Sequence, residues 1–443
     1  MKHFNVITIA AFVVFLFAAC NDKNDFLLDG ITQNDSTITS EEITKNTSYR
    51  ISETEAVENL ENFLSAMYGK ELSKRDIPLK IANISSLRKQ KHLSKNYKEE
   101  DSLLNQIDID TLMYSINFSD SMGFALVAAD TRTAPIFAIS EKGNFNFENV
   151  ANEQNEGLIL FLENAIEKEI NDIANYVDTI EIDNNQHISK RRDFLNTWRP
   201  LYTPEILLKT RWGQETPYNY YCHGCKTGCV ITAMAQILSY YQTIKQITFK
   251  DDNKTYSANL DWNQINSDCL NNNGNLSFAN AYESSKNIAY LCRYLGLEVK
   301  AIYGNSTGAK STNAIDWFNK NGHLNASPLQ SYNDKDIIDA LKAQKIIYTR
   351  GNRIKYINRT GASSYSAGHA WVIDGYMSAA YRRALYYLVH CNWGWNGTAN
   401  GYYLINAFNT HNGPLITDTY NKTTTKDELN YQYNIQYSII TNK

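Results

Sequence analysis

The sequence lacks an excess of charge of either sign. Its 443 residues include 43 Lys and Arg against 47 Asp and Glu, which gives a formal net charge of −4. A chain this close to neutral offers no strongly basic surface, so we expect no nucleic-acid partner. With 43% hydrophobic and 20% charged residues the composition is that of a globular protein, and the length predicts two domains plus a targeting segment.

Cysteine is missing between residues 20 and 222, and this gap separates two regions of the chain. The cysteines beyond it are Cys222, Cys225, Cys229, Cys269, Cys292 and Cys391. Six thiols are too few for a disulfide-dense scaffold. An oxidising compartment would permit some pairing, but the sequence does not determine which cysteines would pair.

Long apolar runs are also missing, with one exception near the start. Val6–Ala19 is apolar apart from one threonine, follows the basic Lys2 and ends directly before Cys20. Such a run is typical of an export signal and is too short for a spanning helix. The segment resembles a bacterial lipoprotein signal, in which the Cys20 thiol receives the lipid, although Phe17 replaces the usual leucine. A secreted protein with an incidental Cys20 is the alternative.

The signal comprises residues 1–20. The rest of the chain divides into a tether and two folded units. Residues 21–50 are rich in Asn, Asp, Ser and Thr and predict a flexible tether. Residues 51–190 are predicted to be α+β. Their predicted helices are Glu53–Tyr68 and Gly157–Ile173, and their predicted strands are Leu112–Phe118, Gly123–Ala129 and Ile136–Ser140. The basic run 190–192 at the end of this unit is either a natural cleavage site or a solvated charge cluster.

The second unit, residues 191–443, has helical character first and strand character later. An apolar face from Val230 to Tyr241 predicts a buried helix, with Thr227 as its N-cap. The predicted later strands are Ala370–Ile373, Tyr386–Cys391 and Tyr402–Ile405. A helical half followed by a β half predicts a two-lobed α+β domain with a cleft between the lobes.

Two residues of the second unit can supply nucleophilic chemistry. Cys229 stands at a predicted helix N-terminus, where free amides and the helix dipole stabilise a thiolate. His369 enters an apolar strand behind Gly368. An antiparallel pairing of the later strands would bring Asn392 beside the imidazole, with Trp393 shielding that contact. Taken alone, each could be structural, but the order Cys, His, Asn is that of papain-type proteases.

Longer runs resemble the streptopain family of papain-like cysteine proteases, which are secreted bacterial zymogens. In the second unit these are Arg211–Gln214, Thr227–Val230, Ala233–Ile237, Gly368–Gly375, Asn392–Trp395 and Gly401–Tyr403. In the first unit, Gly123–Asp130 and Ser140–Gly143 resemble the family's propeptide. The resemblance implies a papain-like two-lobed cysteine protease domain preceded by an α+β propeptide domain that acts as an intramolecular inhibitor.

The resemblance also implies roles for individual residues. The implied catalytic residues are Cys229 as nucleophile, His369 as general base and acid, Gln214 as oxyanion donor, and Asn392 and Trp393 as the residues that orient and cover the histidine. The implied substrate-binding residues are Gly368 and Ser311, although the run around Ser311 is one residue short of the family's. The implied activity is that of an endopeptidase on protein or peptide substrates, with a hydrophobic side chain preferred just before the scissile residue.

We expect no cofactor and no metal. Cys222 and Cys225 have the spacing of half a zinc site, but a second ligand pair is missing, so a loop or a local disulfide is the simpler interpretation. Two other functions stay open: amidase or transglutaminase chemistry at the same thiol, and a non-catalytic surface lipoprotein that binds ligands on a protease-like scaffold. The signal predicts a lipid-anchored protein at the bacterial outer membrane or cell surface. A cut near residues 181–200 would release the catalytic domain from the lipid anchor.

Overall fold

A computed structural model describes residues 49–69, 80–93, 102–177, 197–202, 205–304, 306–357, 363–382, 384–408, 429–430 and 434–443. Cys20, the tether before residue 49 and the basic residues 190–192 lie outside this range, so the boundary near residue 190 stays a prediction. Residues 49–443 cluster as one compact unit. In the part that is described, no helix has both the length and the apolar character needed to cross a membrane.

The helices of the described residues are α1 (Glu53–Tyr68), α2 (Lys89–His92), α3 (Ser102–Gln106), α4 (Glu156–Ala174), α5 (Cys229–Tyr241), α6 (Trp262–Leu270), α7 (Tyr282–Glu298), α8 (Ser311–Lys320) and α9 (Asp334–Lys342). The strands are β1 (Ile81–Arg88), β2 (Thr111–Phe118), β3 (Phe124–Ala128), β4 (Ile136–Ser140), β5 (Arg199–Tyr202), β6 (Gln246–Asp251), β7 (Lys254–Asn259), β8 (Leu324–Ala326), β9 (Gln330–Ser331), β10 (Ile346–Ile357), β11 (Ser363–Tyr381), β12 (Ala384–Asn392), β13 (Gly401–Leu404), β14 (Leu429–Asn430) and β15 (Gln436–Asn442). The mixture of helix and sheet confirms the predicted α+β class.

Local sequence signals fix several of these bounds. At the start of α1 the Ser52 hydroxyl accepts the Glu55 amide at 3.3 Å, while the Glu55 carboxylate accepts the Ser52 amide at 2.7 Å. This reciprocal capping box satisfies two amides that a helix start otherwise leaves free. Asn155 caps α4 in a similar way, since its side-chain oxygen accepts the Leu158 amide at 3.1 Å. The predicted helices and the first-unit strands are confirmed to within a residue or two.

One antiparallel sheet runs through both units. Its described strands follow the order β1-β2-β3-β4-β13-β12-β11-β10-β15-β8. The first unit (described residues 49–177) therefore joins the second unit (described residues from 197 onward) where β4 pairs with β13. Ala138, Ile139 and Ser140 lie there opposite Tyr403, Tyr402 and Gly401.

Contacts next to this pairing extend the junction. The Glu141 amide donates to the Asn400 carbonyl at 2.7 Å, and the Ala399 amide donates to the Lys142 carbonyl at 2.9 Å. The Arg211 guanidinium donates to the Glu141 carboxylate at 2.9 Å. The two units are thus joined through backbone ladders as well as through side chains.

Helix α4 packs on one face of the shared sheet, and α1 packs on the other. Phe161 of α4 lies edge-on to Tyr403 at a ring-centroid distance of 4.8 Å and reaches Phe408 at 5.1 Å. On the other face, Phe63 of α1 lies edge-on to Trp198 at 4.7 Å. A separate apolar core surrounds α5 within the second unit. The first turn of α4 lies near the start of α5, since the charge of Glu156 acts on Cys229.

Candidate active site

The entry into α5 differs from the prediction at one residue. The helix begins at Cys229, and its N-cap is Gly228 rather than Thr227. Gly228 has a φ of +96°, and a Cβ there would come within 3.0 Å of the Thr307 side chain, so only glycine suits the position. Because Gly228 carries no capping side chain, the first amides of α5 stay available to a neighbouring group.

Two of these amides, those of Cys229 and Val230, approach the Cys229 sulfur, as does the amide of Ala370 on β11. Burial raises the pKa of the thiol to about 11, although the backbone amides of Ala370, Val230 and Cys229 itself act to lower it. The negative charge of Glu156, on the first turn of α4, also raises this pKa. The site therefore holds the donors that stabilise a thiolate, but in the covered state the loss of water outweighs them.

The His369 ring has a fixed tautomer. Its Nε2 lies 2.8 Å from the Trp393 backbone carbonyl oxygen. A carbonyl can only accept, so Nε2 carries the proton and Nδ1 of the neutral ring is left to accept one. The imidazole is 6% exposed and lies among the indoles of Trp371, Trp393 and Trp395. Burial lowers its pKa to about 4.

Asn392 is close to this arrangement, but its described hydrogen bonds do not include the imidazole. The predicted antiparallel pairing of β11 with β12 is present, and it sets Asn392 opposite Val372. The Asn392 amide nitrogen donates to the Thr210 carbonyl at 2.8 Å and to the Gln236 side-chain oxygen at 3.0 Å. The acceptor for His369 is instead the backbone of the next residue, Trp393, whose indole is fully buried.

Gln214 lies in a segment that runs along the start of α5. Its backbone carbonyl accepts the Thr227 amide at 2.8 Å, and the Thr232 hydroxyl donates to the Gly213 carbonyl at 3.3 Å. Its side-chain amide is 6% exposed and makes no hydrogen bond to another described residue. An amide held in place but unused is suited to receive a developing negative charge.

The two predicted substrate-binding residues lie in different settings. Gly368 is exposed at the entrance to the His369 strand, opposite Asn352 of β10. Ser311 opens α8 and is 7% exposed, and its hydroxyl lies 2.8 Å from the Tyr348 hydroxyl. Burial raises the pKa of Tyr348, and the nearby Cys229 sulfur adds to this effect. Ser311 is thus linked to the site through Tyr348, and its role in substrate binding stays a prediction.

The first turn of α4 covers the pair of Cys229 and His369. A Cβ on Gly157 would lie 2.5 Å from a ring carbon of Trp393 and 2.7 Å from Cδ2 of His369. A Cβ on Gly351, the residue opposite His369 in the sheet, would likewise come too close to the side chain of Leu160, one turn later in α4. The helix backbone therefore lies directly against the imidazole, which explains why His369 is buried, whereas Cys229 keeps part of its surface exposed.

Lys226 adds a polar contact at the edge of this cover. Its ammonium group lies 4.7 Å from the centre of the Trp395 ring and 3.5 Å from the side-chain oxygen of Gln154, just before α4. It also lies 3.4 Å from the Glu215 carboxylate. Sequence reasoning missed both Gly157 and Lys226, because their importance follows from the long-range packing of α4.

Both reacting groups are neutral in this covered state. At pH 7 a thiol of pKa about 11 and an imidazole of pKa about 4 each keep their uncharged form. Among the described residues, no hydrogen bond joins the Cys229 sulfur to the imidazole. The active form of such a pair is a thiolate beside an imidazolium, which requires water or other polar groups to return to the site.

The second unit also holds five further cysteines and one cluster of histidine and aspartate side chains. All six described cysteines are free thiols, so Cys222 and Cys225 do not form a local disulfide. His223 lies 3.6 Å from Asp251 and 3.9 Å from Asp252. The Arg293 guanidinium donates to both oxygens of Asp251 at 2.7 and 2.6 Å, which already supplies a positive charge there.

Replacing Gly157 by alanine is expected to weaken the cover. Helix propensity alone would favour alanine by about 1 kcal/mol, but forcing a methyl group against two packed rings costs about 1–3 kcal/mol. In a Cys229→Ala background, hydrogen exchange of the α4 amides should become about tenfold faster. Gly304→Ala is the control, because the nearest atom to its Cβ is 3.9 Å away. Slower exchange in Gly157→Ala would contradict the clash.

The pH dependence of Cys229 alkylation is expected to change on removal of the cover. In the covered chain the rate should be low at pH 7 and rise with pH toward 11, because only the thiolate reacts. Without α4 the imidazolium can form, and the rate should level off near neutral pH. Iodoacetamide labelling followed by peptide mass spectrometry measures this, with Cys225 as internal reference. Reaction of covered Cys229 at pH 6 as fast as Cys225 would contradict the shift.

Comparisons with known proteins find similar sequences in both units. Residues 212–403 match the model of the peptidase C10 family, and residues 48–170 match that of the Spi protease inhibitor. Streptopain of Streptococcus pyogenes is 28% identical over 325 residues, which are 67% of this chain and 74% of that protein. The thiol protease/hemagglutinin PrtT of Porphyromonas gingivalis is 24% identical over 68% of this chain, and the match spans 34% of that protein.

A solved structure adds a further likeness. A fragment of prointerpain A from Prevotella intermedia aligns with a TM-score of 0.45 and 23% identity, over 75% of this chain and 96% of that fragment. The two family models together extend over both units of the shared sheet. By the two family models, the chain carries a peptidase C10 family domain over residues 212–403 behind a Spi protease inhibitor domain over residues 48–170, and it is a cysteine-type peptidase.

Proposed function

We propose that Cys229 and His369 hydrolyse peptide bonds through a thioester, in an exported precursor that is held at the bacterial surface by lipid on Cys20. The observation that carries the catalytic part is the meeting of three features at one point. An uncapped helix N-terminus directs its amides at the Cys229 sulfur, a carbonyl fixes the His369 tautomer, and α4 of the inhibitor domain covers both.

In the first half-reaction, Nδ1 of His369 takes the thiol proton, and the sulfur attacks the carbonyl carbon of the peptide bond. The Cys229 amide and the Gln214 side chain donate hydrogen bonds to the oxyanion that forms. As the C–N bond breaks, the imidazolium returns its proton to the leaving amine, and the acyl group remains on sulfur as a thioester.

In the second half-reaction, water enters the place of the amine. Nδ1 of His369 accepts a proton from this water, whose oxygen attacks the thioester carbonyl. Collapse of the second tetrahedral intermediate breaks the C–S bond, releases a carboxylic acid and restores the thiol. The Trp393 carbonyl keeps the ring in the same orientation throughout both halves, because the Nε2 proton is never transferred.

Activity requires that α4 leaves the site. Gly157 occupies the space beside the imidazole where substrate and water would enter, and Glu156 places a negative charge near the sulfur. Protein or peptide chains are the substrate class proposed, with a hydrophobic side chain preferred just before the scissile residue, as in the family that the sequence resembles. The transglutaminase alternative shares the first half-reaction and differs in using an amine as acyl acceptor, whereas an amidase would use water as well and differ in the amide that it cleaves.

The processed wild-type chain should cleave casein and a fluorogenic peptide amide. Cys229→Ala and His369→Ala should each lower kcat/KM by about 10⁴-fold, because each removes a group that reacts directly. Cys225→Ala, which removes a nearby free thiol, should retain activity. Transfer of the acyl group to an added amine without net hydrolysis would support the transglutaminase alternative. Absence of both reactions in processed wild type would overturn the proposal.

Lipid attachment at Cys20 is testable in the same bacterial host. Wild type should incorporate labelled fatty acid and enter the detergent phase on phase separation, whereas Cys20→Ser should do neither; Cys225→Ser is the matched control. A shorter form that lacks the lipid should be released by wild type and not by Cys229→Ala. Equal release by both chains would exclude self-processing, and an unlabelled wild type would exclude the anchor.

A further inference from the structure

Gln236 is a fully buried amide on the helix that carries the nucleophile. It lies seven residues after Cys229, which is two helical turns, so both side chains lie along the same side of α5. Its neighbours Ala235 and Ile237 are apolar and fully buried. A buried amide without partners would cost several kcal/mol, so its hydrogen bonds decide what it does.

The Gln236 amide bonds two other chain segments at once. Its oxygen accepts the Trp212 backbone amide at 3.0 Å and the Asn392 side-chain nitrogen at 3.0 Å. Its nitrogen donates to the Asn392 side-chain oxygen at 3.2 Å. Because a backbone N–H can only donate, the Trp212 contact fixes which end of the Gln236 amide is the oxygen.

Asn392 passes this constraint on to the residues that follow it. Its nitrogen also donates to the Thr210 carbonyl at 2.8 Å, and its oxygen accepts the Gly394 amide at 3.4 Å. Since the Thr210 carbonyl can only accept, the Asn392 amide cannot turn over without losing both contacts. Asn392 and Gly394 flank Trp393, whose carbonyl holds His369.

We propose that Gln236 is a positioning residue for the peptidase reaction. It links three segments that each carry one part of the site. These are α5, which carries Cys229, the segment of Trp212, which carries Gln214, and the loop after β12, whose Trp393 carbonyl orients the His369 ring. This inference rests on the proposed function, because it concerns the same reaction. Gln236 touches none of the reacting atoms and acts through the backbone of these segments.

Gln236→Met keeps the shape of the side chain and removes its hydrogen bonds. In the full chain, cut by trypsin that is then inactivated and removed, kcat should fall about 10- to 100-fold, because small misplacements of reacting groups cost this much. KM should stay within about threefold. The matched control is Ser239→Ala, another buried polar change on α5; within the described part of the chain its hydroxyl bonds the Gln236 carbonyl and the Thr210 hydroxyl.

Gln236→Glu tests the hydrogen-bond pattern itself. A protonated Glu reproduces the donor and the acceptor of Gln, whereas a carboxylate has only acceptors and would face the Asn392 oxygen. The kcat of Gln236→Glu should therefore approach that of wild type at pH 5 and fall relative to wild type as the pH rises to 8. A purely structural role would lower kcat by a constant factor at every pH.

The pH profile of Cys229 alkylation in the processed chains gives a second readout that needs no peptide cleavage. Gln236→Met should shift this profile toward higher pH, because a displaced imidazolium stabilises the thiolate less. If processed wild type cleaves no peptide, the proposed function fails while this profile still decides the role of Gln236. Equal effects of Gln236→Met and Ser239→Ala on kcat and on alkylation would overturn the inference, as would a pH-independent ratio for Gln236→Glu.

Discussion

The hydrogen bond from Nε2 of His369 to the Trp393 carbonyl is the constraint on which the site depends. It decides the tautomer, and through the tautomer it decides which ring nitrogen is left to accept a proton. Because the acceptor is a backbone carbonyl, its position is set by the whole loop after β12 and by the side chains that hold this loop. A change in a single side-chain rotamer cannot move it.

Burial controls the charge state of the same pair. The donors at the α5 N-terminus favour a thiolate, but α4 excludes water and brings Glu156 near the sulfur, so the neutral thiol prevails. The same exclusion lowers the pKa of His369. Inhibition therefore has two components: α4 fills the space that a substrate needs, and it also removes the ionic form of the nucleophile. A segment that only blocked access would leave that ionic form in place.

The residues proposed to bear the chemistry are marked in the sequence by local signals. The capping box at Ser52 marks the start of α1, and the glycine before Cys229 stands next to an apolar helical face. The residue opposite Asn392 in the sheet could not be predicted, since the pairing of β11 with β12 has a register shift between Ile373 and Gly375. Gln236 looked like an ordinary helical residue, and Gly157 gave no sign that its missing side chain makes room for an imidazole.

The pairing of β4 with β13 makes proteolysis and dissociation two separate events. A cut in the connecting chain would remove one covalent link, yet the ladder from Ala138 to Ser140, the Arg211–Glu141 ion pair and the packing of α4 would still hold the severed piece. When β4 does depart, β13 becomes an outer strand with unpaired N–H and C=O groups. Maturation thus creates a backbone surface that the precursor does not have, at the edge of the sheet that carries His369, and an extended chain from another molecule can pair with it.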